Sequence, residues 1–203
     1  MFDQHNDDIR TMSLEDIRAL IREADARDYA AMAVELLRLY LELDPDNSRF
    51  QYMYADNLRS LGRLGDAYVV LASLEFAKVP EEQQYLVELS RAQIHDDRGE
   101  WKEAEERYVA ATRRRPASTV PWVYYGAFLS RQGRVDDAIA VFTQGLTAEG
   151  DLDEVHFNLG NCARAQARYE TAKNHYELAL HIAPGDENYR LALDDVNSAI
   201  EVR

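Results

Sequence analysis

The fold is decided by residues 119–152, which read TVPWVYYGAFLSRQGRVDDAIAVFTQGLTAEGDL. Within this stretch a small residue, Gly126, is followed by Gly133, then by Ala138, and four residues later by Phe142. A spacing of four places Ala138 and Phe142 on the same face of a helix. Because glycine readily takes the left-handed backbone conformation of a tight turn, the stretch predicts two antiparallel helices joined near Gly133.

The same spacing recurs along the chain and is marked by five alanines at intervals of 34, 37, 34 and 34 residues: Ala33, Ala67, Ala104, Ala138 and Ala172. Four residues after each alanine stands a large apolar side chain: Leu37, Leu71, Tyr108, Phe142 and Tyr176. Five residues before each alanine stands a turn-forming or small residue: Asp28, Gly62, Gly99, Gly133 and Ala167. A period of this length is typical of helical hairpins that bury their apolar faces by stacking.

Two stretches carry a family resemblance. Trp122 to Gly126, followed by Gly133, Ala138 and Phe142, resembles a tetratricopeptide repeat, and so does Leu159-Gly160 followed by Tyr169, Ala172, Tyr176, Ala179 and Pro184. The resemblance implies an all-α fold, a right-handed α-solenoid of five such helical hairpins plus a C-terminal capping helix.

The repeats are predicted at residues 14–47, 48–81, 85–118, 119–152 and 153–186, after a flexible N-terminal segment at 1–13 and before a capping helix at 187–203. Three extra residues, 82–84, interrupt the series. The third repeat also departs from the family pattern, because Glu88 and Arg91 stand where apolar residues are usual. The helix register of residues 82–98 is therefore left open.

The charge balance narrows the class of partner. The net charge is −14, from 37 acidic and 23 basic residues. Such a chain repels phosphate backbones and anionic lipid surfaces, so we expect neither nucleic acid binding nor membrane insertion. The one basic cluster, Arg113 to Arg115, precedes Pro116 and is interpreted as cations complementing the negative end of a helix dipole.

Compartment is indicated by cysteine usage and by the absence of long apolar runs. The single cysteine, Cys162, excludes an intramolecular disulfide and suits a reducing compartment. The longest apolar run, Ala67 to Leu74, is far shorter than the roughly 20 residues that span a bilayer. Residues 1–8 are acidic and have no apolar core, unlike a signal peptide. The sequence therefore predicts a cytoplasmic protein.

Family resemblance also implies a binding surface, since the first helix of each hairpin lines the concave face of such arrays. The predicted groove has an apolar lane with arginines and one amide beside it: Arg18, Arg22, Arg49, Tyr52, Arg59, Leu86, Leu89, Val120, Val123, Arg131, Phe157, Asn161 and Arg164. An apolar strip rimmed by polar groups is typical of an interaction site. Alternatively, several of these side chains pack against the neighbouring helix instead of lining an open surface.

Catalytic patterns are weak. His95-Asp96 resembles part of a metal-dependent phosphohydrolase site, but such a site needs further ligands converging from other helices. Adjacent acid pairs point about 100° apart on a helix and cannot converge. We therefore expect no enzyme activity, no catalytic residues, no metal and no cofactor.

The predicted function is that of a non-enzymatic protein–protein interaction module, either an adaptor or chaperone-like. It would bind an extended or helical segment of a client protein in the concave groove. The alternative is a structural scaffold that assembles with copies of itself as a homo-oligomer.

Overall fold

The computed structural model describes residues 12–27 and 29–202. These residues form α-helices in close succession together with one short 3₁₀ helix at Phe76–Lys78: α1 (Leu14–Ala26), α2 (Ala30–Leu43), α3 (Ser48–Ser60), α4 (Leu64–Ser73), α5 (Glu81–Asp97), α6 (Trp101–Arg114), α7 (Thr119–Arg131), α8 (Val135–Gly145), α9 (Leu152–Ala165), α10 (Tyr169–Ile182) and α11 (Glu187–Glu201). The predicted flexible segment lies outside the described residues except for Met12 and Ser13, and so does the turn residue Asp28.

The chain forms two compact parts, with the boundary inside α6 after Ala104. In the N-terminal part α1 packs on α2, and α3 packs on α4; in the C-terminal part α7 packs on α8, and α9 packs on α10. The described residues contain no strand, only an isolated bridge between Ser118 and Glu149. The prediction of an all-α fold of helical hairpins is confirmed.

The five marker alanines are all buried, with at most 1% of their surface exposed. The large apolar residues four positions later are equally buried, again with 1% or less exposed. A small residue on the inner face lets the two helices of a hairpin approach closely, and the larger residue fills the remaining space. The spacing noted in the sequence is thus the spacing of the core.

Tight turns join the helices of the last four hairpins where the sequence predicts them. Gly62, Gly99 and Gly133 have φ between 73° and 74°, in the left-handed region. Ala167 occupies the equivalent position with a φ of 55°, although it carries a Cβ atom. These turns end one helix and begin the next within three residues.

Side-chain caps fix several helix starts. At α1 the Ser13 hydroxyl accepts from the Asp16 N–H at 3.2 Å, and the Asp16 carboxylate accepts from the Ser13 N–H at 3.2 Å. This reciprocal pair of hydrogen bonds is a capping box, which satisfies free N–H groups at the helix start. The cluster Arg113–Arg115 behaves as expected too, since Arg113 and Arg114 form the last turn of α6.

The connection between the second and third hairpins differs from a simple repeat. Helix α4 ends at Ser73, a 3₁₀ helix follows, and α5 then begins at Glu81, four residues before the predicted start of the third repeat. The extra residues 82–84 are therefore helical and do not form a linker. Pro80 precedes a first turn that contains Glu81 and Glu82, and acidic side chains stabilise the positive end of a helix.

The register that the sequence left open is settled by burial in α5. Ala92 is fully buried, as Ala55 is at the equivalent position of the preceding repeat. Arg91 donates to the Leu71 carbonyl oxygen at 2.9 Å and lies 5.4 Å from the centre of the Phe76 ring. Glu88 exposes only 4% of its surface. Both charged residues thus occupy interior-facing positions.

Helix α11 covers the end of the last hairpin. Val196 is fully buried in a cluster with Ala163, Ala172 and Tyr176. The opposite face of α11 carries Arg190 and Asp194, which are exposed and form an ion pair with 2.9 Å between Nη1 and Oδ2. The helix is apolar toward the hairpin and polar toward water, as the end of a repeat array requires.

Candidate protein-binding site

A cleft of about 580 Å³ lies in the N-terminal part, between α1, the start of α3 and the 3₁₀ helix. Apolar side chains of Ile21, Phe50 and Met53 contribute to its lining. Its charged lining consists of four cations and two carboxylates: Arg18, Arg22, Arg49, Lys78, Glu15 and Asp46. We call this the N-terminal cleft. It combines an apolar lining with a cationic excess inside a chain whose net charge is −14.

Arg18 is held in place by aromatic side chains. Its Nε donates to the Tyr40 hydroxyl at 2.9 Å, and its guanidinium lies 5.3 Å from the Tyr40 ring centre and 5.9 Å from that of Phe50. The Tyr40 hydroxyl in turn donates to Asp44 Oδ2 at 3.2 Å. The hydrogen bond to Tyr40 raises the pKa of Arg18, so this cation is permanent and oriented.

The other cations of the cleft are less constrained. The Arg22 guanidinium Nη2 lies 3.8 Å from Glu15 Oε1. Lys78 Nζ lies 3.6 Å from Asp46 Oδ2 and 3.1 Å from Glu75 Oε1. Arg49 is exposed and makes no ion pair within the part of the chain that the structure describes. Exposed ion pairs contribute little, so an incoming carboxylate competes easily for these groups.

The apolar lane of the predicted groove is not an open strip. Leu89 exposes 4% and Val123 exposes 6% of its surface, so both are core residues and the prediction that they line the groove is wrong. Val120 remains exposed at 37%, while Tyr52, Leu86 and Phe157 are half-buried.

Two other residues at the fifth position of a repeat, Phe157 and Arg18, pack against a neighbouring helix. Phe157 at this position of the last repeat lies 4.8 Å, ring centre to ring centre, from Tyr189 on α11. Arg18, at the same position of the first repeat, reaches Phe50 on α3. Arg18 thus contacts the first helix of the next repeat, and Phe157 contacts the capping helix. For Phe157 and Arg18, the contacts agree with the alternative considered from the sequence, packing against a neighbouring helix.

Several predicted polar residues already have partners. Arg59 pairs with Asp56 at 3.2 Å and with Asp97 at 3.1 Å, and Arg164 pairs with Asp195 at 2.9 Å. The Asn161 side chain accepts a hydrogen bond from the Tyr176 hydroxyl at 2.8 Å. Arg131 is exposed on the last turn of α7. Of the predicted set, the structure brings Arg18, Arg22 and Arg49 together in the N-terminal cleft.

Of the apolar and charged residues that line this cleft, sequence reasoning missed Glu15, Ile21, Asp46, Phe50, Met53 and Lys78. Asp46 and Lys78 lie in the connections between hairpins, where the repeat pattern gives no expectation. The only signal was the longer interval of 37 residues between Ala67 and Ala104, which marks an irregular connection after the second hairpin.

The residues that the sequence analysis considered as possible catalytic groups contact neighbours within their own helices and turns or are buried. His95 Nδ1 lies 2.6 Å from Glu100 Oε2 across the turn between α5 and α6. Cys162 is buried, and burial raises the pKa of its thiol, which disfavours a reactive thiolate. Within residues 12–27 and 29–202, no three or more His, Cys, Asp and Glu side chains are grouped to hold a metal ion.

Comparison with known proteins agrees with this architecture. Residues 89–148 and 129–195 match two family models, both described as tetratricopeptide repeat, and together these cover just over half of the chain. The hairpins define a helical-repeat protein. The chain belongs to the tetratricopeptide repeat family.

Solved structures share the fold at low sequence identity. A thermophilic tetratricopeptide repeat protein from Thermus thermophilus is 22% identical with a TM-score of 0.72, and the match covers 91% of this chain and 98% of that one. A tetratricopeptide repeat protein from Parabacteroides merdae is 16% identical with a TM-score of 0.73, covering 92% and 72%. The APC/C hetero-tetramer Cut9–Hcn1 gives 15% identity and a TM-score of 0.69, covering 91% and 36%.

No curated protein sequence is significantly similar to the chain. None of the helices in the described ranges has the length and hydrophobicity required to cross a bilayer.

Proposed function

We propose that this chain is a non-enzymatic, cytoplasmic adaptor or chaperone-like module that binds an acidic segment of a client protein in the N-terminal cleft. The proposal narrows the groove predicted from the sequence to its first two repeats, where Arg18, Arg22 and Arg49 meet. The family fold is one of protein-interaction modules, and a similar chain lies in the hetero-tetramer Cut9–Hcn1.

One observation carries the proposal: four cations and apolar side chains line one cleft, and Arg49 has no ion-pair partner among the described residues. Carboxylates bind arginine through short, charge-assisted hydrogen bonds. A volume of about 580 Å³ is in the range of pockets that enclose a few side chains. The ligand that suits this cleft is a short stretch with one apolar anchor between acidic residues.

Fluorescence anisotropy tests the charge requirement with two labelled peptides, one alternating glutamate with leucine and one with uncharged glutamine in place of each glutamate. We expect only the acidic peptide to bind, with a dissociation constant that rises as NaCl is added, because salt screens exposed charges. Arg49→Glu should weaken binding by about tenfold, since it replaces an attraction by a repulsion.

Lys102→Glu is the matched control, because Lys102 is an exposed cation on α6 outside the cleft and its replacement changes the net charge equally. This variant should bind like the unmodified chain. Equal affinity of the chain for both peptides, or equal losses in Arg49→Glu and Lys102→Glu, would contradict the proposal.

Self-assembly is a second candidate, favoured by apolar side chains on the last two helices. Leu178 and Ile182 share one face of α10 and Leu191 lies on α11, with 45%, 48% and 52% of their surfaces exposed. Size-exclusion chromatography with light scattering separates the two functions. A monomer over a hundredfold range of concentration argues against a scaffold, whereas a dimer lost on Ile182→Glu supports one.

A further inference from the structure

A pair of histidines joins the two helices of the last hairpin. His156 on α9 and His175 on α10 place their Nδ1 atoms 3.2 Å apart, with ring centres separated by 5.4 Å. Both side chains are half-buried. Nineteen residues separate them in sequence, so only the antiparallel packing of α9 and α10 brings them together.

The contact between the two Nδ1 atoms fixes their protonation. A hydrogen bond at this distance needs one ring to donate its Nδ1 proton and the other to accept through a lone pair. Burial lowers the pKa of both imidazoles, and His156 and Arg168 lower that of His175 further. Both rings are therefore neutral near pH 7, the form in which imidazole binds metals.

The separation of the two nitrogens matches that of two ligands on one metal ion. Zinc–nitrogen bonds are about 2.0–2.1 Å long, so two imidazole nitrogens on one ion lie about 3.3 Å apart at a tetrahedral angle and about 2.9 Å apart at a right angle. The observed 3.2 Å falls between these values. The helices thus hold both donor atoms at the spacing that chelation requires, and each ring has only to turn its Nδ1 from the hydrogen bond toward the ion.

We propose that His156 and His175 form a two-histidine site for a divalent transition-metal ion of the class that prefers imidazole, namely Zn²⁺, Ni²⁺ or Cu²⁺. Both Nδ1 atoms bind the ion, and water fills the remaining positions. The ring that donates its Nδ1 proton in the free protein carries that proton on Nε2 in the complex, so no net proton is released.

Binding at this site stabilises the last hairpin, because the ion links α9 to α10 and the unfolded chain does not hold the two rings together. The described residues offer no cluster of three or more ligands, so we expect micromolar rather than tighter affinity. Such an ion would act as a removable clamp on the C-terminal part, independent of the N-terminal cleft.

Thermal unfolding and isothermal titration calorimetry with NiCl₂ alone test the site. For the unmodified chain we expect a saturable rise in Tm of several degrees and one ion bound per chain with micromolar affinity, with no rise from MgCl₂. His156→Gln and His175→Gln should each weaken Ni²⁺ binding by at least tenfold, because one imidazole alone is a poor chelator.

His181→Gln is the matched control, because His181 is exposed on α10 six residues beyond His175 and should not contribute. Circular dichroism in EDTA verifies that each variant is folded, and calorimetry on the unmodified chain gives the stoichiometry independently. An identical rise in Tm for the unmodified chain and for His175→Gln would overturn the proposal, as would the absence of Ni²⁺ binding by the unmodified chain.

Discussion

At the scale of single residues, the size of one side chain limits the size of the residue that faces it across each of the last two hairpins. A Cβ atom added at Gly160 would lie 2.5 Å from the Tyr176 ring, and one added at Gly126 would collide with the Phe142 ring. In the second repeat the equivalent position holds a fully buried alanine, and there the facing core residue is leucine. In the last two repeats the aromatic ring on the second helix therefore leaves room only for glycine on the first, whereas the third repeat accommodates Ala92 together with Tyr108.

Gly160→Ala should lower the free energy of unfolding by about 1–3 kcal/mol, because the added methyl group overlaps the Tyr176 ring. Urea denaturation measures the change. In a Tyr176→Leu background the same substitution should cost much less, since the ring is gone. Gly185→Ala is the control, because nothing lies within 4 Å of its added Cβ. A loss at Gly160 that is unchanged in the Tyr176→Leu background would refute the pairing.

Ala167 gives a prediction of the opposite sign. Its φ of 55° lies in the left-handed region, which costs a residue with a Cβ atom about 1–2 kcal/mol. Ala167→Gly should therefore raise the free energy of unfolding by up to about 1 kcal/mol, after the greater chain entropy of glycine is deducted. Ala140→Gly, at an exposed position within α8, should instead lower it by about 1 kcal/mol. The same sign for both substitutions would show that the strain at Ala167 is unimportant.

At the scale of elements, helix α11 shows what holds an array end together. Val196 is fully buried against the last hairpin, and Tyr189 stacks on Phe157 while donating from its hydroxyl to Asp153 Oδ2 at 3.1 Å. Burial raises the pKa of the Tyr189 phenol, so it stays a donor at all physiological pH values. The ion pair between Arg164 and Asp195 joins α9 to the same helix but is exposed.

Val196→Ala should cost about 1–3 kcal/mol of unfolding free energy, because it removes buried methyl groups and leaves a cavity. Asp195→Ala should cost less than about 1 kcal/mol, since an exposed ion pair is screened by water. Chemical denaturation of both variants compares the two. A larger loss for Asp195→Ala would mean that electrostatics, not burial, anchors α11.

The histidine pair makes the last hairpin sensitive to acid. Both imidazoles have a lowered pKa in the folded chain, so the unfolded chain binds more protons as the pH falls below about 6.5. Stability should therefore fall between pH 7 and pH 5, and more steeply for the unmodified chain than for His175→Gln. Urea midpoints measured across this range in EDTA provide the check. Parallel pH profiles would show that the pair does not titrate with folding.

At the scale of the whole molecule, acidic side chains outnumber the basic side chains that can pair with them. Many arginines form ion pairs with carboxylates. Some of these pairs join residues far apart in the sequence, such as Arg59 with Asp97 and Arg134 with Glu105. A large excess of carboxylates remains, and it gives the net charge of −14. This excess keeps molecules apart in solution at neutral pH.

Solubility should consequently pass through a minimum near pH 4.7, the isoelectric point calculated from the sequence. Turbidity of a concentrated solution between pH 4 and pH 8 measures it. Substituting exposed glutamates by glutamine should move the minimum to higher pH. A solution that stays clear through pH 4.7 would show that charge repulsion is not what keeps the chain soluble.

The sequence by itself determined the hairpins, their turns and the residues of their cores. The five marker alanines and the large side chains four positions after each recur at regular intervals. Helical geometry is local, so residues at these spacings lie on the same face of a helix. For the same reason the left-handed turns at Gly62, Gly99 and Gly133 followed from the pattern alone.

Only the tertiary structure decided which of these faces stay open. The burial of Leu89 and Val123, the place of Lys78 in the N-terminal cleft and the meeting of His156 with His175 depend on neighbours distant in sequence. A repeat pattern predicts the face of the helix from which a side chain projects. Whether another helix or solvent lies in that direction is set by packing between elements, which no local spacing encodes.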